Sequence, residues 1–117
     1  MSSVLILGYD PRTIPGVDGD AMVAALDAQL ARFAELGVDA ATGLVAPDDT
    51  AEAAAVAALT SRDWDVVVIG GGIRKPEPAL PLFELVVNLV RRHAPGAAIA
   101  FNTGIADSVE AARRWLP

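Results

Sequence analysis

Two short, uninterrupted apolar runs constrain the fold of this chain more than any other feature. Val4 to Leu7 has the sequence VLIL and Val66 to Ile69 has the sequence VVVI, and neither run alternates with polar residues. A strand with one side in water alternates, whereas a parallel strand covered on both faces does not need to. Glycine follows each run. The pattern therefore predicts two central strands of a parallel sheet.

Weaker strands are predicted at Val38 to Val45 and at Ala97 to Phe101. Four segments between or after the strands are predicted to be helical: Asp20 to Leu36, about Thr50 to Thr60, Pro81 to His93, and Asp107 or Ser108 to Leu116. Strands that alternate with helices in this way form an α/β domain with a parallel sheet. We expect one domain over residues 1–117, since this length is typical of a single domain.

Right-handed crossovers favour the strand order 2-1-3-4 in a three-layer α/β/α arrangement, with the first and last helices on one face of the sheet. This resembles the flavodoxin-like, or Rossmann-like, architecture with one strand fewer. The resemblance concerns the fold alone, because such folds carry many different functions.

Composition and charge narrow the classes of partner. The formal net charge is −6, so neither a nucleic-acid backbone nor an anionic membrane is expected as the main partner. The chain has no cysteine, which excludes disulfides and thiolate chemistry. No apolar run approaches the ~18 residues of a membrane span. We expect a soluble, cytoplasmic protein.

Ligands of open parallel sheets bind outside the carboxyl ends of the strands, where the chain connections diverge. Here that point lies between the first and third strands, so the segments that follow them are the candidate site. The fourth strand adds two polar residues. The predicted ligand-binding residues are Tyr9, Asp10, Arg12, Gly70, Gly71, Gly72, Arg74, Lys75, Asn102 and Thr103.

The stretch from Ile69 to Pro78, IGGGIRKPEP, favours an anionic ligand at this edge. Glycines allow close approach to backbone N–H groups, and Arg74 with Lys75 would neutralise a phosphate or carboxylate. Two alternatives remain: the stretch is only a sharp exit from the sheet, or it contacts another protein. Asp10 is the one candidate acid or base at this point, and it is a weak one.

Enzymatic activity is left open because no nucleophile and base can be paired. The Gly-rich stretch has Lys75 where the third glycine of a dinucleotide fingerprint would stand, and no phosphate-binding P-loop occurs. Aspartates near the same edge are explained as helix caps, so no metal site is predicted. The sequence points to no cofactor.

The predicted third helix indicates a protein partner. Its apolar residues cover roughly 200° of arc, more than a helix packed on a sheet requires. The last strand is also an edge strand without a guarding charge or proline. We therefore expect a homo-oligomer, with a dimer favoured, through the third helix, and name Leu82, Phe83, Val86, Val87 and Val90 as its contact residues.

Overall fold

A computed structural model describes residues 2–117, and its sheet has the predicted topology. The strands are β1 (Ser3–Tyr9), β2 (Asp39–Val45), β3 (Val66–Ile69) and β4 (Ala98–Phe101). All neighbouring pairs are parallel, in the order β2-β1-β3-β4. The two uninterrupted apolar runs are the two central strands, in register from Val4 with Val66 to Leu7 with Ile69. The predicted fold class is therefore confirmed.

Within residues 2–117, five α-helices accompany the strands: α1 (Gly19–Glu35), α2 (Ala51–Thr60), α3 (Gly71–Arg74), α4 (Leu80–His93) and α5 (Ser108–Arg113). α2 and α4 pack on one face of the sheet, and α1 and α5 pack on the other. The last helix is thus beside the first, as predicted, although it ends at Arg113 rather than near Leu116.

β1 divides its side chains between two buried clusters. Leu5 and Leu7 belong to the core beneath α2 and α4, whereas Val4 and Ile6 belong to the core beneath α1 and α5. All four side chains are almost fully buried. A strand with both faces covered has no position for a polar side chain, which explains the missing alternation.

Local caps set the ends of α1. The Asp18 carboxylate accepts a hydrogen bond from the Ala21 N–H at 3.0 Å, which satisfies one of the free donors of the first turn. At the other end Gly37 has φ +73°, a left-handed conformation that glycine adopts without strain. These two residues let β1 and β2 be joined by one straight helix of 17 residues.

α2 approaches β2 closely at Gly43. A Cβ atom at this glycine would lie 2.8 Å from the Ala58 Cβ and 3.0 Å from the Leu7 Cδ2. Only a residue without a side chain lets the helix lie this near the strand. No helix within residues 2–117 combines the length and the apolar character needed to cross a lipid bilayer.

Candidate functional site

The two segments that leave the central strands open onto a common edge of the sheet. The Gly70 N–H donates to the Leu7 carbonyl oxygen at 2.8 Å, which extends the pairing of β1 and β3 by one bond. Further out, a Cβ atom at Gly72 would lie 3.0 Å from the Tyr9 Cβ. The tyrosine and the glycine segment are therefore in direct contact at the carboxyl edge.

The triple glycine begins a helix instead of forming an open loop. Gly70 precedes α3, and the Ile73 and Lys75 N–H groups donate to the carbonyls of Gly70 and Gly71. Ile73 is buried and anchors this turn to the core. The connection from β3 to α4 thus contains α3 and a 3-10 turn at Glu77–Ala79.

The Arg74 side chain lies at the carboxyl ends of β3 and β4 and not between the carboxyl ends of β1 and β3. Its Nε donates to the Ile69 carbonyl at 2.8 Å, and its Nη2 donates to the Asn102 carbonyl and, at 3.1 Å, to the Asn102 Oδ1. The guanidinium carbon also lies 5.2 Å from the centroid of the Phe101 ring. Burial lowers the Arg74 pKa below its ordinary value, partly opposed by the charge of Asp107. The guanidinium joins the carboxyl ends of β3 and β4.

Lys75, Asn102 and Thr103 belong to the same group of contacts. The Lys75 ammonium donates to the Thr103 carbonyl. Asn102 is 4% exposed, and its amide nitrogen donates to the Ser108 hydroxyl at 3.0 Å. The structure therefore brings four of the predicted site residues together, but their polar groups bind one another.

Asp107 completes this group of contacts at the start of α5. Its carboxylate accepts the N–H groups of Thr103 and Gly104 and the Thr103 hydroxyl. Partial burial acts to raise the Asp107 pKa, but these hydrogen bonds outweigh it and hold the pKa below its ordinary value. The carboxylate thus ties the segment after β4 to the last helix.

A 3-10 turn, Pro11–Thr13, follows β1; Arg12 lies in it and Asp10 caps it. The Asp10 Oδ1 accepts the Arg12 N–H at 3.0 Å, and its carbonyl accepts the Thr13 hydroxyl at 2.7 Å. The Arg12 side chain is 61% exposed and its Nε lies 3.7 Å from an Asp20 oxygen. Asp10 is therefore placed near the mouth as a turn cap, and its role as an acid or base stays a prediction.

A cavity of about 630 Å³ lies at this edge, on the α2 and α4 side of the sheet. Its polar lining comes from Tyr9, Thr13 and Asp48. The other walls are mainly apolar, with Ile14, Leu82 and Leu85 among them and five prolines: Pro15, Pro47, Pro76, Pro78 and Pro81. We call this space the proline cavity.

A second space of about 60 Å³ lies at the switch point on the opposite face of the sheet. Gly70, Gly71 and Asn102 line it, together with Met22 and Leu26 of α1. Tyr9, Ile14 and Gly72 line both spaces. Of the predicted site residues, Tyr9 and Gly72 therefore contribute to the proline cavity, whereas Arg74 and Lys75 line neither space.

The sequence analysis missed the prolines and Asp48 as lining residues. A usable signal was present: Pro15 follows β1, Pro47 follows β2, and the other three prolines follow β3. In a parallel sheet all these segments start from the carboxyl edge. The position of each proline after a strand therefore pointed to their convergence at this edge.

Asp48 has the more specific electrostatics. Its Oδ1 accepts both the Thr50 hydroxyl and the Thr50 N–H, the latter at 2.9 Å. The bond from the hydroxyl, followed by the bond from the N–H, lowers the pKa of the carboxyl below its ordinary value. Asp48 therefore presents a carboxylate to the cavity at neutral pH.

The apolar surface of α4 is used largely within the chain. Val86 and Val90 are buried against the sheet, and Leu82, Phe83 and Val87 are partly buried against the same core. Leu80, at the first position of the helix, is 59% exposed. The five residues predicted as dimer contacts thus differ in how much surface they offer a second copy.

Within residues 2–117, no three histidine, aspartate or glutamate side chains are grouped so that they could hold a metal ion. Neither a scan against protein-family models nor a search of curated proteins finds a match to this chain.

Proposed function

We propose that this domain binds a small organic molecule in the proline cavity at the carboxyl edge of its sheet. The observation that carries the proposal is the volume of about 630 Å³ at that edge. Pockets for small molecules have volumes of about 300–1,000 Å³ and mostly apolar walls with few polar groups. The carboxyl edge beside a switch point is also where folds of this kind bind ligands.

The sequence predicted an anionic ligand, and the two cations on which that prediction depended make contacts within the chain. Arg74 and Lys75, the two cations behind that expectation, donate to main-chain carbonyls at the carboxyl ends of β3 and β4. The N–H groups of Gly71 and Gly72 lie at the start of α3, where a helix leaves N–H groups without a partner inside the helix. An anionic group on the ligand could bind to those two amides.

A thermal-shift screen of small metabolites tests the proposal, with phosphorylated and carboxylated compounds as one arm and neutral and basic compounds as the other. A ligand of the folded state raises the melting temperature by mass action. Hits are then measured on Ala79→Phe, which places a ring into the cavity because Ala79 lines it. We expect binding to be lost in this variant.

Ala106→Phe is the matched control, since Ala106 is also an alanine of a 3-10 turn but lines neither space. Retained binding in Ala79→Phe together with an unchanged melting temperature would refute the assignment of the cavity. A screen without any hit would count against small-molecule binding as such.

Self-association is the second candidate, and one apolar patch favours it. Phe83 and Phe101 meet edge to face with ring centroids 6.1 Å apart, and Phe101 is 44% exposed. Leu80 lies three positions before Phe83 and therefore on the same side of α4. These three residues join the start of α4 to the end of the edge strand, where a second copy would find a continuous apolar surface.

Sizing chromatography with light scattering tests this candidate. If copies associate through the patch, Phe101→Glu and Leu80→Glu should each yield monomers, because both side chains are exposed. Leu36→Glu is the control, since Leu36 is 50% exposed but lies at the end of α1 on the other face. A monomeric native chain, or a dimer that survives both substitutions, would contradict it.

A further inference from the structure

Asp48 is the one charged side chain among the residues that line the proline cavity within the described chain. Its position is fixed by Thr50, whose N–H and hydroxyl both donate to Oδ1. The second oxygen, Oδ2, accepts no hydrogen bond from residues 2–117. A carboxylate held by one oxygen keeps the other for a ligand, and the lowered pKa of Asp48 keeps it ionised.

The prolines make the same cavity poor in donors for an anion. Folds of this type bind anions through backbone N–H groups at helix N-termini and glycine turns. Proline has no N–H group, so five of the lining positions have no backbone donor for an anion. Pro81 lies in the first turn of α4 and removes one of the free donors that this helix end would otherwise present.

Two further features favour a positive charge over a negative one. The net charge of −6 enriches cations around the whole molecule. Tyr9, which also lines the cavity, offers an aromatic face and a hydroxyl, and aromatic faces attract cations within about 6 Å. Thr13 adds a second hydroxyl that can accept a hydrogen bond.

We propose that the ligand of the proline cavity is an organic cation, an amine with an apolar or aromatic body, whose ammonium group pairs with the free oxygen of Asp48. The body packs against the proline walls, Leu82 and Leu85. This inference rests on the proposed function and adds to it the chemical class of the ligand. It also reverses the sign of charge that the glycine and Arg-Lys stretch predicted.

The test uses two sets of three probes that share an aromatic ring and a two-carbon chain and differ in the head group, which is an ammonium, a carboxylate or a neutral carboxamide. Phenethylamine, hydrocinnamic acid and hydrocinnamamide form one set, and tryptamine, indole-3-propionic acid and indole-3-propionamide form the other. Affinities are measured by calorimetry at low and at moderate salt. We expect each amine to bind about fivefold to tenfold more tightly than its acid or amide, with a preference that weakens in salt.

Asp48→Asn is the decisive variant, because asparagine removes the charge yet retains an oxygen that can accept from Thr50. In this variant the amine should lose its advantage over the amide, while the melting temperature stays near that of the native chain. Asp49→Asn is the control, since Asp49 is the neighbouring exposed carboxylate and does not line the cavity. It should leave the preference unchanged.

Several outcomes overturn the inference, and they differ from those that overturn the proposed function. Tighter binding of the acids, or an amine preference that survives Asp48→Asn, refutes the role of Asp48. A third outcome is that neither amine binds, whereas other compounds from the metabolite screen bind and are blocked by Ala79→Phe. This outcome refutes the class of ligand but supports the cavity. Absence of any ligand in both experiments refutes the cavity itself and the inference with it.

Discussion

Replacing Arg74 by methionine removes the guanidinium that joins β3 to β4 while it keeps an unbranched apolar stem. The lost contacts are the bond from Nε to the Ile69 carbonyl, the bonds from Nη2 to Asn102, and the stacking on Phe101. Hydrogen bonds to charged groups contribute about 1.5–3 kcal/mol at most, and partial exposure reduces the contribution to about 1 kcal/mol for Nε and about 1 kcal/mol for Nη2, whose two bonds end on one residue. Stacking adds about 0.5–1 kcal/mol.

The free energy of unfolding of Arg74→Met should therefore fall by about 2–3 kcal/mol. Urea denaturation with an unchanged m-value is the direct assay, and the melting temperature should fall by roughly 6–12 °C. Arg113→Met is the control, because Arg113 makes no hydrogen bond or ion pair through its side chain within residues 2–117. Its unfolding free energy should change by less than about 0.5 kcal/mol.

The same variant separates a structural arginine from a ligand arginine. If Arg74 served an anionic ligand instead of the strands, its loss would leave the unliganded chain as stable as before. A decrease below about 0.5 kcal/mol in Arg74→Met, together with loss of any shift caused by phosphate or carboxylate compounds, would refute the reasoning above and restore the interpretation made from the sequence.

Two further predictions concern the packing of α2 and the start of α5. Gly43→Ala should destabilise the fold by about 1–3 kcal/mol in urea denaturation, because the new Cβ would lie 2.8 Å from the Ala58 Cβ. Gly96 has open space around it, so Gly96→Ala is the control and should be neutral or slightly stabilising. Stabilisation by Gly43→Ala would contradict the close packing of α2. Because the Asp107 pKa is lowered in the folded state, the carboxylate contributes stability above its unfolded pKa of about 3.9, and this contribution is lost as the pH falls below that value. The free energy of unfolding of Asp107→Asn should therefore fall less than that of the native chain when the pH is lowered, and equal pH profiles would refute this role. Asp27→Asn, at an exposed position of α1, is the control for net charge.

The strands and their order could be predicted because their causes are local or generic. Val66 to Ile69 has no polar residue because both faces of β3 are covered, and the handedness of the crossovers then leaves few layouts. Asp18 and Gly37 mark the ends of α1 through contacts within a few residues. Features of this kind depend on a few neighbouring residues and can therefore be predicted from short stretches of sequence.

The surroundings of Arg74 could not be predicted, since its partners are distant in sequence. The Asn102 carbonyl lies 28 positions further along the chain and becomes an acceptor only when β4 is beside β3. Before that pairing is known, an arginine after three glycines is equally suited to an anion. The presence of α3 depends in the same way on the burial of Ile73 and on the contact between Gly72 and Tyr9.

The wide apolar face of α4 has a comparable explanation. α4 packs on the sheet and also against α2, which lies beside it on the same face. A helix with two packing partners buries a broader arc than the single stripe assumed for a helix on a sheet. The arc is therefore accounted for mainly within the chain, and the prediction of a dimer now depends on Leu80 and Phe101.

The prolines explain why a cavity forms at this edge of the sheet. Three segments leave neighbouring strands at one edge, and each contains a proline that lacks an N–H group and has a restricted φ. Because of these prolines, the segments do not pair with one another as additional strands. The helices also do not extend back over the ends of the strands, so the space between the segments stays open. Stiff walls also lose little conformational entropy when a ligand binds, which favours affinity. A cavity with such walls suits a rigid apolar body, and the proposed pairing with Asp48 would favour a body that carries a positive charge.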